Sequence, residues 1–260
     1  MVRDFGPVEE FRSMSRFFVD KGQIAAGEVI ISAQSDIRHI TQALRLKEGD
    51  RFEVSDSEQW EYEVELSHSS KSEVRAKILD KQRFSREPAL KVTLFQGIPK
   101  HGKMESIIQK SVELGASSIV PVIMARTVPA GKDGFLKKTE RWQKVSSEAV
   151  KQCRRGVVPK VAPAAAFSEM AEVIGTGKFD AAVFPYENEE ECTIKDALRG
   201  LEGKPGSLAL AIGPEGGFSD EEAALLKEAG ALPVSLGKTI LRTETAGPAA
   251  IAMVMYELEL

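Results

Sequence analysis

The sequence predicts an α/β protein in which a small β-rich domain precedes a larger sheet-and-helix domain. Three observations predict it. Three alternating or β-rich runs separated by polar turns occupy residues 51–79; short apolar runs alternate with amphipathic helical segments after residue 90; and glycine-bearing loops follow two of the late apolar runs.

Residues 1–13 are read as an extension with no assigned function, with Met14 as an alternative start. The first domain is placed at 14–82. Ser35 is the expected cap of a short helix through Leu44, and Lys47-Glu48-Gly49-Asp50 is a turn. Strands are expected at Arg51–Val54, Trp60–Leu66 and Glu73–Leu79, which suggests a small β-barrel. A linker around Gln82–Ala89, containing Pro88, leads to a second domain at 90–260.

There Leu90–Phe95 reads as the first strand. Lys103–Leu114 is a helix with Met104, Ile107, Ile108 and Val112 on one face, and Gly115 ends it. Ile119–Met124 is the next strand. A helix from Arg141 to about Arg155 turns Trp142, Val145 and Ala149 inward and leaves Lys144, Lys151, Arg154 and Arg155 outside. Ala181–Phe184, Leu208–Ile212 and Leu232–Leu236 are strands too short and too apolar to be helices. Between the last two, Ser219 and Glu222 form a capping box for a helix that stops at Gly230. A final helix is expected over Ala249–Leu258, with Pro248 in its first turn.

Three loops thus leave strand ends: Pro185-Tyr186-Glu187, Gly213-Pro214-Glu215-Gly216-Gly217 and the stretch Leu236–Ala246. Ligands of open α/β sheets bind outside the carboxyl ends of the strands, so these loops are the expected site. The glycines match neither a phosphate loop nor a dinucleotide fingerprint, and Glu215 would repel a polyphosphate. A neutral or cationic ligand held by main-chain groups suits them better.

Composition is that of an ordinary globular protein, 42% hydrophobic and 28% charged. No run reaches the roughly 18 apolar residues of a membrane span, and no signal peptide is legible, so a cytoplasmic protein with no membrane partner is expected. Cys153 and Cys192 lack metal-type spacing, and three histidines give too few ligands, which predicts no metal. The net charge of −4 hides a strong segregation: residues 100–160 hold 13 Lys or Arg against 5 Asp or Glu, whereas 161–260 hold 7 against 17. A basic block in an acidic chain is a candidate phosphate-binding surface.

The loops Ile212–Phe218 and Leu236–Ala246 resemble the cofactor loops of the ribosomal RNA small subunit methyltransferase E family, 16S ribosomal RNA uridine-N3 methyltransferases of the SPOUT superfamily. The resemblance extends collinearly over residues 14–260, through Ser15-Arg16-Phe17-Phe18-Val19, His39-Ile40, Leu44–Asp50, Lys103-Met104-Glu105, Gln109-Lys110, Glu113-Leu114-Gly115, Pro121, Arg141-Trp142, Glu148-Ala149, Gln152 and Arg155–Pro159. It implies a PUA-like RNA-binding domain at the amino terminus and a SPOUT-type parallel sheet ending in a trefoil knot. It also implies a homodimer, and as substrate 16S ribosomal RNA or the small ribosomal subunit that contains it.

S-adenosylmethionine is the cofactor the resemblance implies, with Phe184, Pro185, Glu187, Ile212, Gly213, Pro214, Gly216, Gly217, Leu236, Gly237, Ile240, Leu241, Arg242 and Thr245 as its expected contacts. Leu236, Ile240 and Leu241 also have a plain reading as core residues. Expected RNA contacts are Arg16, Arg45, Lys103, Lys110, Lys151, Arg154 and Arg155, although the family pattern usually has a small residue in place of Arg154.

Uridine N3 carries a proton and becomes a nucleophile only as that proton leaves, so a cationic donor near the carbonyl oxygens and a proton acceptor would help. Arg155 is the first candidate donor and Arg242 the second, with Glu244 as the group that orients the base or takes its proton. Arg155 reads equally as a phosphate clamp, and Glu244 as a helix cap. The alternatives are a SPOUT enzyme acting on another RNA site and an RNA-binding protein without catalysis.

Overall fold

The structure is a computed structural model that describes residues 15–83, 87–100, 102–127 and 132–260, with the side chains of 132–137 left out. The extension expected at 1–13 lies outside the described residues. Two compact units are present: residues through Glu87 together with Arg154–Val157, and Pro88–Cys153 together with Val158–Leu260.

The first unit contains β1 (Arg16–Phe18), β2 (Ile24–Ala25), β3 (Glu28–Ile31), α1 (Gln34–Arg38), β4 (Arg51–Ser55), β5 (Trp60–Ser69) and β6 (Val74–Arg83). They form one sheet in the order β1-β4-β5-β6-β3-β2, antiparallel except for the parallel pair β1 and β4. Period-two alternation sends Phe52, Val54, Val64, Leu66, Val74 and Ala76 into one core. Phe17 joins them with its ring edge-on to Phe52, 5.5 Å between centroids. Two expectations are corrected here. Ser35 lies inside α1, whose cap position is Ala33, and the chain continues in a wider turn in which the Leu44 N–H donates to the His39 carbonyl at 2.9 Å. Gln82 and Arg83 belong to β6 and not to a linker, because β5 supplies ladder partners as far as Trp60.

The second unit contains β7 (Lys91–Gly97), α2 (Lys103–Glu113), β8 (Ser118–Ile123), α3 (Lys132–Cys153), β9 (Lys160–Val161), β10 (Ala165–Ala166), α4 (Phe167–Gly175), β11 (Ala181–Pro185), α5 (Ile194–Arg199), β12 (Ser207–Ile212), α6 (Asp220–Glu228), β13 (Leu232–Val234) and α7 (Thr243–Leu258). Its sheet is wholly parallel, in the order β10-β8-β7-β12-β11-β13 with β9 on β8. Leu208–Ile212 is buried throughout, as expected of a central strand covered on both faces. One core gathers Phe95, Val122, Ala209 and Ala211 with Met170 and Ile174 of α4 and Ala223 and Leu226 of α6. Helices α2 and α7 pack on each other, and α7 also packs on β7 and β12.

Boundaries differ from the sequence reading. Strand β13 stops at Val234, and α3 begins at Lys132 and not at Arg141. Helix α7 starts at Thr243, six residues before the expected Ala249, so Pro248 lies inside it. Only one backbone donor is lost there, and the buried Ala246, Gly247 and Ala250 hold the turn against the sheet. Helix α3 ends at Cys153, and Arg155, expected on an outer face, is only 5% exposed. Among the described residues no helix is long and apolar enough to cross a membrane.

Candidate active site

The chain leaves β7 toward β8 on one side of the sheet, while β12 is followed by α6 and then β13 on the other. At the carboxyl ends of these strands opens a cleft of about 1000 Å³, lined by Pro185–Glu187, by Ile212–Glu215 with Gly217 and Phe218, by Val234–Glu244 and by Lys103 at the start of α2. The sequence reading placed a site at these strand ends; the structure brings the three loops to one cavity.

The loop after β12 is built from close backbone contacts. A Cβ on Gly213 would come within 3.0 Å of the Gly217 carbonyl carbon, and one on Gly97 within 2.6 Å of the Pro214 nitrogen, so neither position admits a side chain. The Gly217 N–H donates to the Pro214 carbonyl at 3.0 Å, and Gly217 has φ +67°, a turn that an L side chain resists. Glu222, 6% exposed, fixes the outer end: it accepts the Ser219 N–H at 3.0 Å as the capping box requires, and the Ala125 N–H at 2.7 Å. Arg126 donates to the Gly216 carbonyl and lies 4.0 Å from Glu187, linking two of the loops.

The third loop joins this floor through a buried relay. Gln96 Nε2 donates to Thr243 Oγ1 at 2.9 Å, and that hydroxyl donates to the Gly213 carbonyl at 2.6 Å. Both side chains are buried, Gln96 fully, and such hydrogen bonds are costly to leave unmade. In the loop itself, no hydrogen bond among the described residues engages the backbone of Lys238–Leu241, which leaves those amides and carbonyls for a ligand. Ile240 is 82% exposed, so it is not a core residue, and it stands at the cleft as an apolar contact.

Glu187, Glu189, Glu190, Glu215 and Glu244 line the cleft against only Lys103, Lys238 and Arg242. An excess of carboxylates favours a cationic ligand over a phosphate. Lys103 Nζ bridges two of the glutamates, 3.4 Å from Glu215 and 3.1 Å from Glu244. Glu215 also accepts the Lys100 N–H at 3.1 Å. The hydrogen bond to Glu244, more than any other contact, raises the Lys103 pKa. The Glu244 carboxyl is held below its ordinary value, first by its own N–H at the helix start and then by Lys103.

The expected contacts Pro185, Glu187, Ile212, Gly213, Pro214, Gly217, Leu236, Gly237, Ile240, Leu241 and Arg242 all line the cleft, as does the catalytic candidate Glu244. Phe184, Gly216 and Thr245 do not. Phe184 is fully buried and packs edge-on against Phe218 at 5.5 Å, supporting the loops from the core. Gln96 and Arg126 were not selected from the sequence, and Glu215 and Thr243 lay inside the expected loops without a named contact; the partners of all four lie 30 or more residues away.

Arg155 belongs to the first unit. Its guanidinium donates to Glu87 at 2.9 Å with both side chains under 10% exposed, and Glu87 further accepts the N–H groups of Gly156 and Val157. Arg16 is likewise engaged, with Glu53 at 2.8 Å, Glu61 at 2.7 Å and the carbonyls of Arg154 and Arg155. Arg45, Lys110, Lys151 and Arg154 are solvent-exposed.

Comparison with known proteins agrees with this geometry. Residues 86–255 match the RNA methyltransferase domain family and residues 32–79 the RNA methyltransferase PUA domain. The chain is 34% identical to ribosomal RNA small subunit methyltransferase E of Bacillus subtilis, over 95% of this chain and 98% of that one. It is 33% identical to the protein of the same name from Synechocystis, over 97% and 82%. Among solved structures it resembles a ribosomal RNA small subunit methyltransferase E from Neisseria gonorrhoeae bound to S-adenosyl methionine, with a TM-score of 0.79 and 30% identity, covering 94% of this chain and 97% of that one. A parallel sheet preceded by a PUA domain, three loops meeting at its carboxyl edge and similarity along nearly the whole length place this chain in the ribosomal RNA small subunit methyltransferase E family.

Proposed function

We propose that this protein transfers the methyl group of S-adenosylmethionine to N3 of a uridine in 16S ribosomal RNA, on the assembled small subunit, as a cytoplasmic homodimer whose carboxyl-terminal segment is knotted. The observation that carries the reading is the acid-lined glycine cradle at the ends of β11, β12 and β13, in a chain similar over its length to a relative bound to this cofactor. The residues present fit the group. A sulfonium and an α-ammonium suit the carboxylate excess, and the unengaged backbone of Lys238–Leu241 offers the pairing an adenine edge requires. When bound, the cofactor supplies an electrophilic methyl carbon.

The protein's own residues then have distinct roles. The cradle and the Thr243 relay hold the reacting groups in line, an arrangement worth on the order of 7 kcal/mol or more in intramolecular reactions. Glu244, which lines the cleft and meets the Lys103 ammonium at 3.1 Å, orients the base or its neighbouring lysine. Arg242 borders the same cleft. Arg155, held by Glu87, serves the architecture of the first unit, whereas exposed Arg45, Lys110, Lys151 and Arg154 are the cations offered to phosphates. A Cβ on Gly247 would come 3.1 Å from Gln96 and 3.8 Å from Ile212, so the last helix passes close over the ends of β7 and β12.

The test is transfer of label from S-adenosylmethionine to small subunits purified from cells lacking this gene, followed by nucleoside mass spectrometry. The expected product is 3-methyluridine in 16S RNA. Label on another atom or another RNA would replace the substrate assignment.

A further inference from the structure

Resting on that reading, the geometry points to Lys103 as a catalytic residue: its ammonium hydrogen-bonds the uracil carbonyl oxygen on which negative charge accumulates as N3 loses its proton. An ammonium has three N–H donors. Here the Glu244 carboxylate accepts one of them at 3.2 Å, and the Glu215 carboxylate, from a different cleft loop, forms an ion pair with the ammonium at 3.4 Å. Their grip fixes the position of a side chain that would otherwise sample many rotamers, and leaves one donor for a ligand in the cleft that Lys103 lines.

The same grip decides which ligand atom that donor suits. A resident anion, such as a phosphate or the cofactor's own carboxylate, would be the third negative charge on one ammonium. A uracil oxygen is neutral on arrival and gains charge only during the reaction, so its hydrogen bond strengthens as the transition state forms. Both glutamates are themselves bound to backbone N–H groups, Glu215 to that of Lys100 and Glu244 to its own, which weakens their field at the oxygen. In the step itself the N3 proton leaves to water, the N3 lone pair bonds to the methyl carbon, and the carbon–sulfur bond breaks with its electrons on sulfur. Lys103 supplies no atom; it stabilises the part-charge that the uracil oxygen carries in the transition state. The bonds to Glu215 and Glu244 keep Lys103 protonated throughout.

The experiment compares wild type, K103M and K103R in single-turnover transfer at saturating RNA and cofactor, with cofactor affinity by calorimetry and subunit affinity by filter binding. For K103M, loss of one such donor is expected to slow transfer by about 10²-fold, with both affinities within about threefold of wild type. Partial rate recovery is expected in K103R and, for K103M, on addition of ethylammonium, an effect a purely structural lysine would not show. A K103M enzyme with the wild-type rate but weakened cofactor binding makes Lys103 a cleft clamp, and one with weakened RNA binding alone makes it a phosphate contact. Either overturns the inference while 3-methyluridine formed by the wild type keeps the broader reading. A wild type that leaves uridine N3 unmodified overturns both.

Discussion

Arg155 and Lys103 are both cations held by glutamate, yet they sit in opposite circumstances. Arg155 is enclosed: its partner Glu87 is also buried and also gathers two backbone N–H groups, so each group in the cluster has its partner within the first unit. Lys103 is about one-third exposed at the edge of a cleft and is divided between carboxylates that arrive from separate loops. A buried pair that closes on itself maintains a fold, whereas a half-exposed cation with two anchors and a spare donor is available for chemistry.

Substitutions can break that contrast. The largest effect is expected for Arg155→Ala, which strands the Glu87 carboxylate in the interior: about 3–5 kcal/mol of stability lost from the first unit, read by denaturant unfolding. Arg155→Lys should recover little, because an ammonium cannot reproduce the planar fork.

Next comes Thr243→Val, which removes the hydroxyl between Gln96 and Gly213 and leaves buried groups unpaired. A loss of about 1–3 kcal/mol in stability is expected, together with weaker cofactor binding by calorimetry, and Thr243→Ser should restore both. Gly217→Ala places a Cβ at φ +67° and 3.2 Å from the Glu187 carboxylate. It should cost about 1–2 kcal/mol in the thermal transition, with a matching loss of cofactor affinity.

The smallest effect concerns pH. The Lys103–Glu244 contact has a depressed carboxylate and an elevated ammonium. Its contribution is present above the ordinary carboxylate pKa and lost as pH falls through the lowered one; at the other end it persists below the ordinary lysine value and is lost as pH rises through the raised one. Cofactor affinity should therefore stay flat between about pH 6 and pH 7, below the range in which an α-amino group titrates. A step within that range would show that another group titrates in the cleft.

Local chemistry was legible in the sequence, and distant partnership was not. Ser219 and Glu222 announce their helix because the capping box closes over three residues, and the turn from Pro214 to Gly217 is written in glycines. Strands β7, β8, β11, β12 and β13 were readable as apolar runs because burial leaves little polar alternation, whereas β9 and β10, two residues each, were not. Strand β1 was not, since its ladder partner β4 lies 37 residues away. Arg155 sits among basic residues that suggest a surface, and Glu87, 68 positions earlier, meets it in the interior. Pro248 suggested a helix start and hid the turn that begins at Thr243. Lys103 looked like one more cation of a basic block until the fold brought Glu215 and Glu244 to it.

The relay from Gln96 through Thr243 to Gly213 spans 147 residues and ends in the last helix, which bears on when this protein becomes competent during its own synthesis. A nascent chain that has emerged only as far as Leu241 can hold the first two loops but has neither the hydroxyl that fixes Gly213 nor the carboxylate of Glu244. The cleft is therefore completed only after Thr243 and Glu244 have been made and folded onto the loops that precede them.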